Sequence, residues 1–400
     1  MGAVDAEEVE RLRADTPAVG AGLVHLNHAG ASLCPEPVLQ VVVDHLRLEA
    51  EIGGYEAADR EAERIDAVGA SVGRLIGAAA DEVAVVDSAT RAWHLALDAL
   101  PLPAGATVLV SRPEYVANVL GLLRARDRRG VRLEQLPDTP DGSVDPAATA
   151  DRLARGDVAA VALTWVPSQG GLVQPAAEVG AVCRAAGVPF LLDACQAVGQ
   201  LAVDVAELGC DVLAATGRKF LRAPRGTGFL FVRQAFLDRL DPAPWDAHST
   251  RWTGPDTYEP APGAQRFETF ERPVAAVLGL GAAAEYAAAL GPARTEARVV
   301  ALGEALRHRL AGVEGVTVHD QGTHRCGIVT FTVDGVAAAD VTAHLRAHRV
   351  NTSVSPAESA RVDLGGRDLD ALVRASVHYL TVGAELDRCA ELVADLAPTT

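Results

Sequence analysis

Between Asp81 and Gln234 the chain alternates short runs that are apolar throughout with stretches of helical character, and few folds accept that alternation. The strand candidates are Val83–Val86, Thr107–Ser111, Val131–Leu136, Val158–Thr164, Val188–Asp193, Asp211–Thr216 and Gly228–Val232. Helices are expected between several of them, among them Thr90–Ala99, Ala176–Ala186 and Val203–Leu208. A strand without a polar face must be covered on both sides, as in parallel sheets wrapped by helices. The pattern therefore predicts an α/β fold, a three-layer α/β/α domain around a mainly parallel sheet. Ligands of such sheets sit beyond the carboxyl ends of the strands, so residues at those ends are where chemistry is to be sought.

Four hundred residues exceed one small core, and a second unit is expected. Residues 1–20 read as an N-terminal arm, 21–290 as the large domain, and 291–400 as a smaller C-terminal α+β domain. The smaller unit has strands near Val316–His319 and Ile328–Val333. Pro242 to Pro262, rich in Pro, Asp, Trp and Gly, reads as a long irregular excursion of the kind that serves a site or an interface. The formal charge of -17 argues against nucleic acid and anionic membrane surfaces as partners. Six scattered cysteines without a Cys-x-x-Cys pair read as reduced thiols and do not suggest a metal site. With an acidic N-terminus and no long apolar run, the expectation is a soluble cytoplasmic protein.

Lys219 is the only lysine, although the chain carries 36 Lys plus Arg. A primary amine can lose its proton and attack a carbonyl to form a Schiff base, which guanidinium cannot. A GC-rich genome that exchanged lysine codons for arginine would also leave one survivor, so the neighbours decide. Asp193 ends one strand candidate, and Thr216-Gly217-Arg218-Lys219 ends the next. Adjacent strands lie about 4.8 Å apart, so carboxylate and amine can address opposite ends of one small ring. A buried carboxylate needs a cation or strong donors, and a protonated pyridine nitrogen would serve; a helix N-cap is the plainer role for such an Asp. Gln196 could face a phenolic oxygen on the ring. Ser88-Ala89-Thr90 opens a helix whose free N–H groups suit a phosphate, although Thr90 could equally be only a cap. Thr216 and Arg218 could add phosphate contacts. Tyr115 could stack over a flat ring or simply fill core. Aldehyde, pyridinium, phenol oxygen and phosphate together describe pyridoxal 5′-phosphate (PLP).

With these residues in view the chain resembles the class V aminotransferase family. This is the branch of fold-type I PLP enzymes that includes cysteine desulfurases, isopenicillin N epimerase and hercynylcysteine sulfoxide lyase. The resemblance rests on Asp193-Ala194-Cys195-Gln196, Asp211 to Lys219, Pro224-Arg225-Gly226-Thr227-Gly228-Phe229-Leu230 and Arg374-Ala375-Ser376-Val377-His378-Tyr379. It runs from about Leu26 to Asp387. It implies that Lys219 bonds the cofactor, Asp193 pairs with the ring nitrogen, and Gln196 faces the phenolic oxygen. Ala89, Thr90, Thr216 and Arg218 would hold the phosphate, Tyr115 would cover the ring, and Ser168 is counted with the cofactor residues. Arg374 would bind the α-carboxylate of a small amino-acid substrate, with His28 a second substrate contact or a turn histidine. Homodimers with active sites at the interface are also implied, and the segment Trp252 to Arg272, with Thr269, is the candidate to reach the partner's cofactor.

Departures from the family pattern narrow the reaction. Arg218 stands where the family often has histidine. The Gly-Thr often found after Arg-Phe-Glu is missing after Arg266-Phe267-Glu268. Cysteine desulfurases carry a nucleophilic cysteine shortly before the carboxylate-binding arginine, and Asn351 to Asp363 contains none. Glu49 to Ala58, together with Arg218, looks like the hercynylcysteine sulfoxide lyase subgroup, although a helix broken at Gly53-Gly54 explains the same text. The expectation is a C–S lyase acting by β-elimination on a cysteine S-conjugate or its sulfoxide. An aminotransferase or epimerase is the alternative, and a non-catalytic regulator or scaffold on the same fold is a remote one.

Overall fold

The computed structural model describes residues 4–242 and 246–397. After a helix at Ala6–Ala14 and the two-residue strand β1 (Val24–His25), the chain builds its main sheet. That sheet comprises β2 (Val83–Val86), β3 (Thr107–Val110), β4 (Arg132–Gln135), β5 (Val158–Thr164), β6 (Phe190–Asp193), β7 (Val212–Thr216) and β8 (Gly228–Val232). Their spatial order is β2-β8-β7-β6-β5-β3-β4. Only β8 runs against its neighbours, pairing antiparallel with both β2 and β7. Successive residues of one strand enter opposite layers: Leu191 and Val212 pack with Trp93 and Leu122 on one face, Leu192 and Leu213 with Val72 and Leu280 on the other. This double burial is the physical reason most of the strands lack a polar face; the edge strand β4, expected to be apolar throughout, is instead mostly exposed and carries Arg132, Glu134 and Gln135.

Several sequence-based boundaries shrink. Val131, Val188 and Asp211 precede their strands, and the helix before β7 is only Val205–Leu208. The stretch read as irregular contains a hairpin, β9 (Thr250–Gly254) and β10 (Thr257–Pro260), with Trp252 and Tyr258 exposed; its residues 243–245 lie outside the described residues. The rest of the chain forms an antiparallel sheet, β11-β12-β15-β14 in space. Its strands are β11 (Val316–Val318), β12 (Ile328–Val333), β14 (Ser353–Pro356) and β15 (Ala371–Ser376), with the short β13 (Val350–Asn351) before β14. β1 pairs parallel with β13, Val24 opposite Val350. Val9, Leu12, Val24 and Leu26 share one core with Leu306, Phe331 and Val373, so the N-terminal segment is packed with the C-terminal sheet. Among the described residues no single helix is long and apolar enough to cross a membrane. The bent pair Val274–Leu290 and Pro292–Ala311 reaches the required length and composition only in combination, and Val277, Leu280 and Ala284 of the first helix belong to the main core.

Candidate active site

The carboxyl ends of β2, β6 and β7 face one cavity. An inner chamber enclosing about 380 Å³ is lined by Ser88, Thr90, Asn118, Asp193, Cys195 and Thr216, with Ala89, Tyr115, Arg218 and Lys219. Tyr115, Arg218 and Lys219 also border an outer cleft of about 660 Å³, whose far wall is formed by Val354, Ser355, Pro356, Ser359 and Ala360. Ala29 and Gly30 from the N-terminal segment complete the rim.

Lys219 is 6% exposed, and its Nζ lies 5.6 Å from the centre of the Tyr115 ring. Burial above all pulls its pKa below the ordinary lysine range, and the Arg218 and Arg374 cations act in the same direction, against Cys195 and Asp193. Asp193 is not a helix cap. Its Oδ1 accepts from the Cys195 N–H (2.8 Å) and its Oδ2 from Asn118 Nδ2 (2.7 Å). Both donors are neutral, so this buried carboxylate is oriented but not neutralised by them. Asn118 also donates to Glu114 Oε1 (2.9 Å), and burial, first among its influences, raises the Glu114 pKa. Sequence reading assigned neither residue. The available signal was their four-residue spacing across the start of helix Val116–Arg129, which stacks side chains along one face.

Ser88, not Thr90, caps helix Ala89–Ala99: its Oγ accepts from the Arg91 N–H (3.2 Å), and Ala89 and Thr90 stand in the first turn at the chamber wall. Gly228 permits this placement, because a Cβ there would lie 2.9 Å from the Ala89 nitrogen. Thr216 faces the chamber, and Arg218 donates through Nη1 to the Gly30 carbonyl. Gln196 is 2% exposed. Its Nε2 donates to the Ala29 carbonyl (3.1 Å) and to Ser168 Oγ (3.0 Å), while its Oε1 is buried without a partner among the described residues. Ser168 also accepts, at its carbonyl, from Arg374 Nη1 (2.9 Å). Arg374 sits on β15 opposite Ser353; its Nε is buried without a partner among the described residues, and burial, then Arg218, lowers its pKa to about 10. A guanidinium edge left unpaired in a cleft is a ready carboxylate site.

Three expected residues do not line the cavity: Gln196 stands behind it, bonded to Ala29 and Ser168 of its border, and neither Thr269 nor His28 borders it. Thr269 lies in a separate hollow with Arg91 and Gly226, its hydroxyl donating to the Glu271 carbonyl (3.2 Å). His28 is fully buried behind Ala29, its Nδ1 bonded to Ser32 Oγ (2.9 Å) and its ring 4.7 Å from those of both His25 and His378. Burial is the main cause that depresses all three histidines, His378 to about 3, with Arg222 adding to it. The unfolded chain binds protons below about pH 6.5 that the folded chain refuses, so their contribution is intact above that pH and is lost as pH falls. Each of His28 and His378 should cost up to about 1.4 kcal/mol per pH unit below 6.5. The urea midpoint should therefore drop clearly between pH 7.5 and 5.5; equal midpoints would refute neutral burial.

Fold and cavity define a PLP-dependent enzyme of fold type I. The family description Aminotransferase class-V matches residues 24–389, and the chain belongs to that family. A Mycobacterium tuberculosis protein named probable hercynylcysteine sulfoxide lyase is 34% identical over 98% of this chain and 94% of its own length. Among solved structures, an apo cysteine desulfurase from Thermococcus onnurineus superimposes with a TM-score of 0.91 at 22% identity, covering 99% of both chains. The cystine C–S lyase C-DES, solved with glycine covalently linked to its PLP cofactor, gives 0.85 at 22%, over 96% of this chain and 99% of its own. The chamber fits the cofactor: a buried carboxylate bonded by neutral donors, a lone amine of lowered pKa and a helix N-terminus line one small space.

Proposed function

We propose that this enzyme cleaves the C–S bond of a cysteine S-conjugate, or its sulfoxide, by β-elimination. The observation that carries the reading is the outer wall: Val354, Ser355, Pro356, Ser359 and Ala360 face Lys219 with no thiol among them. Desulfuration needs a cysteine there to accept sulfur. Elimination needs a base at Cα, a carboxylate clamp and room for the leaving group. The similarity to the probable sulfoxide lyase supports the same choice.

PLP, when bound, supplies an aldehyde for the substrate amine and a ring that accepts the electron pair left at Cα. Asp193, steadied by Asn118 and the Cys195 N–H, would keep the ring nitrogen protonated. The first turn at Ala89 and Thr90, with Thr216 and Arg218, would hold the phosphate, Tyr115 would cover the ring, and Ser168 would fix Gln196 beside the phenolic oxygen. Arg374 would take the substrate carboxylate through its unpaired edge. Lys219, whose burial favours the free amine, would remove the Cα proton and return a proton to the departing sulfur. The C–S bond breaks, the sulfur leaves with the electron pair, and water converts the three-carbon remainder to pyruvate and ammonia. Thr269 in its separate hollow suits a residue offered to a second copy, and we assign the enzyme to a cytoplasmic homodimer.

With S-methyl-L-cysteine sulfoxide, the purified holoenzyme should release pyruvate and ammonia in equal amounts and keep turning over without a keto acid. Loss of the visible cofactor band, restored only by an added keto acid, would sink the proposal in favour of transamination.

A further inference from the structure

The outer wall belongs to a segment that is fastened to the loops after β3 and β5 by a few polar contacts, Ser355 to the Ser168 carbonyl among them. Helix Arg361–Gly366 follows directly on Ser359 and Ala360, and its Leu364 packs with Ala360 and Leu372. Asp363 in that helix is 3% exposed, and its Oδ1 accepts from Arg112 Nη1 at 2.5 Å. Arg112 stands two residues beyond β3. Its Nε donates to Asp138 Oδ2 (2.6 Å) and its Nη2 to Gln321 Oε1 (3.3 Å). The other oxygen of Asp363 accepts from Gln169 Nε2 (3.2 Å), and Arg367 Nη1 lies 3.9 Å away. Gln169 borders the outer cleft beside Ser168, the residue that holds both Arg374 and Gln196. Asp363 thus joins the sheet, through Arg112, to the cleft wall, through its own helix, and its second oxygen holds Gln169 at the cleft border. Neither Arg112 nor Asp363 lines the cavity.

We propose that Asp363 and Arg112 are positioning residues that set substrate selectivity by clasping the wall Val354–Ala360 at a fixed distance from Lys219. The proposal rests on reading the outer cleft as the side-chain site of the substrate. The Arg112 guanidinium forks between two carboxylates, Nε to Asp138 and Nη1 to Asp363, with a single bond to each, and a nearly buried pair loses far more when one partner is removed than an exposed one does. The clasp acts on the part of the substrate beyond Cβ and leaves the cofactor chamber alone.

The test is a titration of the holoenzyme with two probes, each followed by the change in visible absorption of bound PLP: S-methyl-L-cysteine sulfoxide, which has a side chain, and glycine, which has none. Asp363→Asn should weaken the sulfoxide by about 10-fold or more and glycine by less than about 3-fold, with PLP content and resting spectrum unchanged. Arg112→Met should reproduce that pattern, and the double variant should lose no more than either single one. Arg112→Lys, which keeps the charge but not the fork, should show the same order with a smaller loss, and it serves if the harsher variants fail to hold PLP. Equal weakening of both probes, no weakening, or additive losses in the double variant would each overturn the clasp. Because the readout is binding, it stands apart from the elimination reading, whose failure would appear as absent pyruvate in the unmodified enzyme.

Discussion

Lys219→Ala should fold, bind PLP without a covalent bond and lose at least about 10⁴-fold in turnover. The loss is large because this amine has no understudy: it is the only lysine of the chain, and the nearby cations are guanidiniums that do not give up protons at working pH. The cavity also prepares it, since burial pulls its pKa down and so favours the free base. Two measurements check the result: pyruvate release under saturating substrate, and the amount of PLP carried through gel filtration after borohydride treatment. The unmodified protein should keep PLP irreversibly after reduction, and the variant should not. A variant that retains turnover within tenfold, or that still traps PLP, would remove Lys219 from the chemistry.

Asp193→Asn carries the second largest expected effect, a fall of about 10³-fold in kcat and kcat/KM together, the pattern of an interaction realised in the transition state. The substitution preserves size but removes the charge that would keep the ring nitrogen protonated. It also sets a new amide against the Asn118 amide, which donates to Asp193 at 2.7 Å. Asn118→Ala tests the orientation alone and should cost about 10-fold, because the Cys195 N–H still holds the other carboxylate oxygen at 2.8 Å. If Asp193→Asn lowered only KM-type binding while kcat held, the carboxylate would be a structural anchor and not an electronic one.

The main sheet was legible because six of its seven strands, all but the exposed edge strand β4, are largely buried and leave a signal that no amphipathic element imitates, and Lys219, Asp193 and Thr216 were legible because strand ends are where such sheets present side chains. The direction of β8 was not readable, since a strand apolar throughout looks the same run either way. Asn118 and Glu114 escaped because their importance lies in bonds to a strand that is distant in sequence, 75 residues away for Asn118 and Asp193. The hairpin β9–β10 was hidden by its composition: its residues are mostly exposed, so no inward-facing apolar alternation marks it. The two readings of His28, substrate contact or turn histidine, stayed open in the sequence because a histidine beside a glycine turn gives no hint that two further histidines will close over it.

The parallel pairing of β1 with β13 has a consequence for how the protein is born. His25 and Asn351 are hydrogen-bonded neighbours separated by 326 residues, so a ribosome working at about 5–20 residues per second leaves the first strand without its partner for roughly twenty to sixty seconds. Ala29 and Gly30, which rim the cavity, hang on that strand. The main sheet can mature on the nascent chain well before then, but the mouth of the site cannot. Catalytic competence therefore arrives only after Asn351 has been made, and chains terminated before it should emerge with an ordered sheet and an unfinished entrance.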